Sequence, residues 1–347
     1  MSLTQNTLGK EFVPADEGKS IETILGVMRT SYDTQYPEGT RADRDAHPIC
    51  TGFVRAKFVV AEFLPEHLRT GIFSVAGQEF DAVIRFSNGF PKPALKRRNP
   101  DIFPDVRGFA IKLFGVPGTK LLPGVDANAP TQDFLLANAP SFFVKDAKDY
   151  IDMVIGVQRL VFPSWNPLRW RLREASLLAQ AILKIIPSNT EIDYHSQLPY
   201  ALGDNAAVKY KVRPIFVGPY TPVSKLVPEY LLENLRLQLK DPYGVILEFM
   251  VQEQNSLTMP IEDPRKVWSP AESSFLTAAF IYILPQTPDD GAKARDLSFS
   301  PWHSLPEHRP LGGIGRVRRA VYDMISGIRH RRTGVERKEP NDLSFLD

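Results

Sequence analysis

The apolar positions of this chain follow one period in its first half and add a second one later. Between residues 53 and 137 they fall in short runs with partial alternation: FVRAKFVVAEFL at 53–64, DAVIRFS at 81–87, RGFAIKLF at 107–114 and DFLLA at 133–137. Such runs, bounded by turn residues, read as strands, and four of them without long helices between them predict an antiparallel sheet. Asn88-Gly89 after the second run and GVPG after the third supply turn chemistry. Ahead of this block, SIETILGVMRTSYD at 20–33 reads as a helix, with Ser20 placed to cap it and Pro37 beyond its end.

Past residue 140 the helical period enters. Asp146 to about Phe162 and Leu168 to Ile186 are predicted as helices, the second carrying Leu168, Leu172, Ala175, Ala179 and Ile182 at helical spacing. Strand-like runs return at 207–216, 244–254 and 278–284, with a helix at 228–240 among them. Roughly seven or eight strands in two groups, interrupted by helices, suit an α+β protein built on a closed or nearly closed antiparallel barrel. No fixed repeat and no clean internal boundary is visible. The expectation is a single domain over 1–347, with an N-terminal arm and helix to residue 40, a barrel with inserted helices over 41–290, and a loop, helix and tail over 291–347.

The last helix carries the most specific chemistry. Ile314, Val317, Val321, Met324 and Ile328 step by three and four, one stripe of an amphipathic helix. Beside them Arg318, Tyr322, Ile325 and Arg329 form a second line, so a phenol and two guanidiniums share a face. Arginines beside a buried stripe are most often a solvated face, with the tyrosine hydroxyl in water. The sharper alternative starts from a phenol pKa near 10, which leaves about one in a thousand ionised at neutral pH. A guanidinium one turn away favours phenolate, a hard anionic ligand for ferric iron. Arg329, about 10 Å further along the helix, could meet a carboxylate at the far edge of a flat cofactor.

Composition narrows the classes. Forty-two basic and 40 acidic residues give a net charge of +2, so the chain as a whole is no polyelectrolyte for nucleic acid or lipid, and any basic preference is local. With 43% hydrophobic residues it can bury a large core without staples. Its single cysteine, Cys50, excludes an internal disulfide and suits a reducing, cytoplasmic compartment. No run approaches the roughly 20 apolar residues of a membrane span. Thirty prolines predict long ordered loops.

Several stretches, in order, resemble the haem catalases. RRAVY is similar to their proximal Arg-x-x-x-Tyr motif, and IGRVRRAVY is similar also to the catalase-related allene oxide synthases. RDAHPICTG resembles the segment bearing the distal histidine, VIRFSNG and DVRGFAIKLF resemble two core segments, and QDFLLANAPSFFVKD resembles the segment supplying the distal asparagine. The likeness covers residues 40–150 and the C-terminal helix and is faint between them. It implies a catalase-like barrel with surrounding helices, a C-terminal proximal haem-binding helix, and haem b with ferric iron.

Carried over by position, the resemblance makes Tyr322 the iron ligand, Arg318 its partner, His47 the distal histidine and Asn138 the amide that works with it. Arg44, Arg85 and Arg329 fall on the propionate-binding arginines, and Ser87 on the serine that sets the histidine tautomer. Ala137 before Asn138 departs from the pattern, and the chain lacks the extra length of full catalases, so their nucleotide site and usual assembly are not implied.

The implied activity is a haem peroxidase reducing hydrogen peroxide or organic hydroperoxides by His47- and Asn138-assisted heterolytic O–O cleavage, with room for weak catalase activity. A small organic electron donor would be its partner, with no nucleic acid, no transmembrane segment, and room for a homodimer. Two other readings stay open. One is a fatty-acid hydroperoxide lyase or isomerase, against which Ala46 stands where allene oxide synthases have threonine. The other is a non-enzymatic membrane or nucleic-acid binder using the basic C-terminal helix.

Overall fold

The computed structural model describes residues 8–89, 100–204 and 206–346; the first seven residues of the expected N-terminal arm lie outside them. Nine strands form one antiparallel sheet: β1 (Ile49–Val60), β2 (Glu79–Asn88), β3 (Arg107–Phe114), β4 (Thr131–Ala137), β5 (Tyr194–His195), β6 (Tyr200–Leu202), β7 (Ala206–Val217), β8 (Val245–Glu253) and β9 (Phe275–Ile283). The order is β5-β4-β3-β2-β1-β9-β8-β7-β6, and β5 also pairs with β7. Eight strands therefore close into a barrel, with β6 beside β7 outside the ring, as the α+β barrel expectation required. The closing strand is tiny. Ala137 pairs with His195 on one side, and Tyr194 and His195 pair with Val212 and Lys211 on the other. Runs of two and three residues carry no periodicity, which hides β5 and β6 from sequence reading.

Alternate residues of the long strands fill the barrel. Phe249 packs ring to ring with Phe58, Phe134 and Tyr210 at centroid distances of 5.3, 5.2 and 5.2 Å. His308 joins this cluster, its Nε2 accepting from the Ile72 amide at 3.0 Å and its Nδ1 lying 3.2 Å from the Tyr210 hydroxyl. One glycine is forced. At Gly52 (φ +153°) β1 bulges, and a Cβ would lie 2.5 Å from Leu235 on α5 (Tyr230–Gln238), so only glycine lets that helix press on the barrel.

Helix boundaries differ from the sequence pattern for identifiable reasons. Helix α1 (Glu17–Gln35) starts ahead of Ser20, which lies inside it with its hydroxyl bonded back to Asp16. Asp146 caps α2 (Ala147–Ile155), its carboxylate accepting from the Asp149 amide at 3.0 Å. Gly156 then separates α2 from α3 (Val157–Val161), so the one helix expected there is two. Pro167–Arg169 is a separate 3-10 turn, and α4 is confined to Leu172–Ile182. Its buried residues are Glu174, Leu178 and Ala181, not the apolar stripe, because Glu174 pairs with Arg265 at 2.5 Å and turns that face inward. Asn88-Gly89 does not close a tight hairpin, since β3 begins at Arg107, and residues 90–99 lie outside the described residues.

Candidate functional site

Strand alternation sets which side chains look outward. Ala82, Ile84 and Phe86 of β2 and Phe109, Ile111 and Leu113 of β3 belong to the barrel core. Arg85, Ser87, Gly108 and Ala110 therefore face away from it. Antiparallel register aligns Ser87 with Gly108 and Ala137, and Arg85 with Ala110 and Leu135. The first row is small throughout, and Ala110 alone is small in the second, which leaves open space above Gly108, Ala110 and Ala137. Helix α6 (Gly312–Thr333) forms the opposite wall with Arg318, Val321, Tyr322, Ile325 and Arg329, leaving a cleft of about 940 Å³ counted out to its mouth.

His47 enters from the sheet side, on a left-handed backbone (φ 55°) pinned by its amide to the Gly89 carbonyl at 2.9 Å. Its Nδ1 lies 3.1 Å from the Ser87 hydroxyl. Both groups occupy space that Gly108 leaves open: a Cβ there would sit 2.5 Å from His47 Nδ1 and 2.6 Å from Ser87 Oγ. Burial, then the Arg85 and Arg318 charges, push the imidazole pKa down to about 3. It is a neutral ring at physiological pH.

On the helix side, Arg318 donates to the Tyr322 hydroxyl at 3.0 Å and lies 5.2 Å from its ring centroid. Burial disfavours the Arg318 charge, yet its interactions with Tyr322 and Tyr200 raise its pKa above the ordinary arginine value. At one end of the cleft Arg44, Arg85 and Arg329 converge. Arg44 donates to the Ala294 and Leu297 carbonyls, Arg85 to that of Pro48, and Arg329 to those of Arg295 and Leu297. Arg85 Nε is buried without a hydrogen-bond partner among the described residues. Burial, then mutual repulsion, depresses the Arg44 pKa, and burial depresses that of Arg85. Two buried guanidiniums, Arg85 and Arg329, and the part-buried Arg44 are thus bonded to neutral carbonyls, which leaves their positive charge unbalanced by any ion pair among the described residues.

Seven of the eight sequence-nominated residues thus line one cleft: Arg44, His47, Ser87, Arg85, Arg318, Tyr322 and Arg329. Asn138 does not. One residue beyond β4, it accepts from the Arg107 amide at 2.9 Å and donates to the Ala181 carbonyl at 3.1 Å, facing a second cavity. The carboxamide that lines the cleft is Gln197, which sequence reasoning missed. It sits at the tip of a three-residue turn (φ 61°) closed by the Leu198 amide on the Ser196 carbonyl at 2.7 Å, a strained conformation with no signature in the sequence.

The basic helix is occupied internally. Arg316 pairs with Glu11, Glu17 and Glu262 at 2.5, 2.6 and 3.0 Å, and Arg332 pairs with Asp33. That leaves little of the solvated basic face on which a membrane or nucleic-acid reading of α6 depends. One row beyond the cleft floor, Lys112 is fully buried between Asp133 at 2.6 Å and Glu339 at 2.5 Å, tying the C-terminal tail to the barrel. Among the described residues no three His, Cys, Asp or Glu side chains gather as ligands for a bare ion. The cleft offers one phenol, one imidazole, the Asp45 carboxylate, the Gln197 carboxamide, serine hydroxyls and the guanidiniums.

No family model matches the sequence, and neither does any curated protein. Solved structures do match. A fungal catalase aligns with a TM-score of 0.62 at 14% identity over 99% of this chain and 68% of its own. Catalase A from Saccharomyces cerevisiae gives 0.64 and 15% over 95% and 68%, and a bacterial catalase 0.61 and 16% over 95% and 64%. With the closed antiparallel barrel and the helix laid across its outer face, these alignments establish that the chain has a catalase-like fold.

Proposed function

We propose that the cleft holds haem b and that the protein is a haem-dependent oxidoreductase, a peroxidase that reduces hydrogen peroxide or organic hydroperoxides, with weak catalase activity. The observation that carries this reading is the convergence of Arg85 and Arg329, both buried, and of part-buried Arg44, all without an ion pair among the described residues, on a cleft that also presents the Tyr322 phenol. The residues present fit the group: Tyr322 would offer a phenol oxygen to iron, Arg44, Arg85 and Arg329 would meet carboxylates, and the small residues Gly108, Ala110 and Ala137 would leave room for the macrocycle. Haem, when bound, supplies a redox-active iron.

The protein's own part is proton handling and orientation. A hydroperoxide loses its outer oxygen readily as water or alcohol and poorly as an anion, so its proton must move between its two oxygens. His47, neutral and hydrogen-bonded to Ser87 through Nδ1, keeps Nε2 free to accept that proton and return it. Arg318 holds the phenol in place. Two electrons from a small organic donor complete the reduction. Asn138 enters this reading as a positioning residue at the end of β4, since its amide is engaged by the backbone. The single cysteine favours a reducing, cytoplasmic setting.

An absorption spectrum of the purified, iron-replete protein tests the proposal. A Soret band of ferric high-spin type is expected, and Tyr322→Phe should lose or markedly alter it. A colourless wild-type protein that takes up no added haem would sink the reading.

Gly108→Ala tests the distal arrangement separately. The new methyl must displace His47 or Ser87, while the strand tolerates alanine. Binding of haem should persist, with the rate of reaction with peroxide down by roughly tenfold to a hundredfold. An unchanged stopped-flow rate would show that the His47–Ser87 geometry does not matter.

A further inference from the structure

Leu168 and Leu172, the first two positions of the expected helix stripe, stand in solvent beside Trp165, Phe162 and Trp170. Trp165 and Leu168 are 101% and 93% exposed, Leu172 is 65% exposed, and Phe162 and Trp170 flank them. The segment is nonetheless ordered. The Arg171 amide donates to the Val161 carbonyl at 2.9 Å, Trp170 Nε1 to the Ser164 carbonyl at 3.1 Å, and the Phe162 and Trp170 rings meet edge to face at 5.0 Å. These bonds, with that of the Leu168 amide to the Asn166 side chain at 3.0 Å, fix the backbone from which Trp165 and Leu168 project.

The surrounding charge has one sign. Residues 157–186 contain Arg159, Arg169, Arg171, Arg173 and Lys184 against a single acid, Glu174, which is buried on Arg265. Arg159 and Arg171 are taken up by Asp149 and Asp152 of α2, while Arg169, Arg173 and Lys184 remain exposed.

We infer that this face docks on an anionic lipid bilayer, with Trp165 and Leu168 entering the boundary between headgroups and acyl chains and Arg169, Arg173 and Lys184 meeting lipid phosphates. Tryptophan, leucine and arginine interleaved on one exposed surface match the chemistry of that boundary. Trp165 and Leu168 project singly, a shape suited to a deformable surface. A two-fold contact with a second copy would bring the cationic faces together and is disfavoured by charge. No helix among the described residues is long and apolar enough to cross a membrane, so the contact is with the bilayer surface. From this face the chain runs through Lys184 and Ile186, which line the second cavity, and Gln197 is common to that cavity and the cleft.

Flotation of the full chain with phosphatidylcholine vesicles, with and without phosphatidylglycerol, tests the inference and needs neither haem nor turnover. Binding is expected to the anionic vesicles, with a blue shift of tryptophan emission, and to weaken as salt is raised. Trp165→Ser/Leu168→Ser should reduce it by about tenfold or more. Arg169→Glu/Arg173→Glu should reduce it as well, and both variants should keep the wild-type thermal midpoint because the residues are exposed. Failure of the wild type to float, or equal flotation by both variants, overturns the inference. So does self-association that Trp165→Ser/Leu168→Ser abolishes in a protein that ignores vesicles, which would assign the face to a second copy.

Discussion

His47→Ala is expected to retain haem but to react with peroxide more slowly by roughly 10²- to 10⁴-fold, the usual contribution of one well-placed proton-transfer group. Among the described residues no other histidine lines the cleft, so any residual rate would fall to the Asp45 carboxylate, which also lines it. The pH dependence follows from the same environment. With its pKa pushed down to about 3 by burial and by Arg85 and Arg318, the ring is already a base throughout the neutral range. The peroxide step should therefore be flat from about pH 5 upward and decline only as acid approaches that value, where the ring becomes protonated and can no longer accept. Stopped-flow rates across pH decide this. A wild-type inflection near 6.5, absent in His47→Ala, would place the ring in water and contradict its burial.

The second large effect concerns stability. Lys112→Met should destabilise the protein by about 3–5 kcal/mol, because it strands two carboxylates in a site from which water is excluded. Lys112 is 0% exposed and Asp133 1%, with Glu339 closing the group from the C-terminal tail. Burial and the Glu339 charge raise the Asp133 pKa, and Lys112 opposes them. One ammonium between two acids reaches charge balance when the acids share a proton. Adding Glu339→Gln and Asp133→Asn to Lys112→Met should restore part of the loss, since no buried charge then remains in the group. Urea unfolding measures both variants. A single-variant cost below about 1 kcal/mol would mean that water reaches the site.

How much of this could be read from the chain differs by element. The long strands were legible because a half-buried strand must alternate, and the Arg318–Tyr322–Arg329 face because helical spacing fixes which residues share a side. His47 and Arg44 lie in an irregular loop, where spacing says nothing, and they were found through the catalase resemblance. The floor of Gly108, Ala110 and Ala137 was not legible at all, since it exists only once the register sets β3 and β4 side by side. Asn138 shows how small an error matters: one residue beyond β4 its side chain turns to the backbone, and Ala137 lines the cleft instead. Helix α4 misled for the opposite reason. The Glu174–Arg265 pair draws the Glu174, Leu178 and Ala181 line inward, so Ala175, Ala179 and Ile182 are only part-buried and Leu168 and Leu172 are left in solvent.

The hoop of strands is fastened very unevenly. Between β4 and β7 it relies on Tyr194 and His195, helped by Ser196, whose amide donates to the Tyr210 carbonyl at 2.9 Å and whose hydroxyl accepts from the Tyr210 amide at 3.0 Å, whereas β1 and β2 share a ladder running from Ile49 to Val59. Parting so short a staple costs far less than unravelling a long ladder, so its amides should exchange with deuterium well before those of β1. Two residues on from His195 stands Gln197, where the two hollows meet. The loosest seam and a long ladder thereby lie on opposite arcs of one ring, so the barrel should open first at its fastening while the wall that carries Arg85 and Ser87 stays closed.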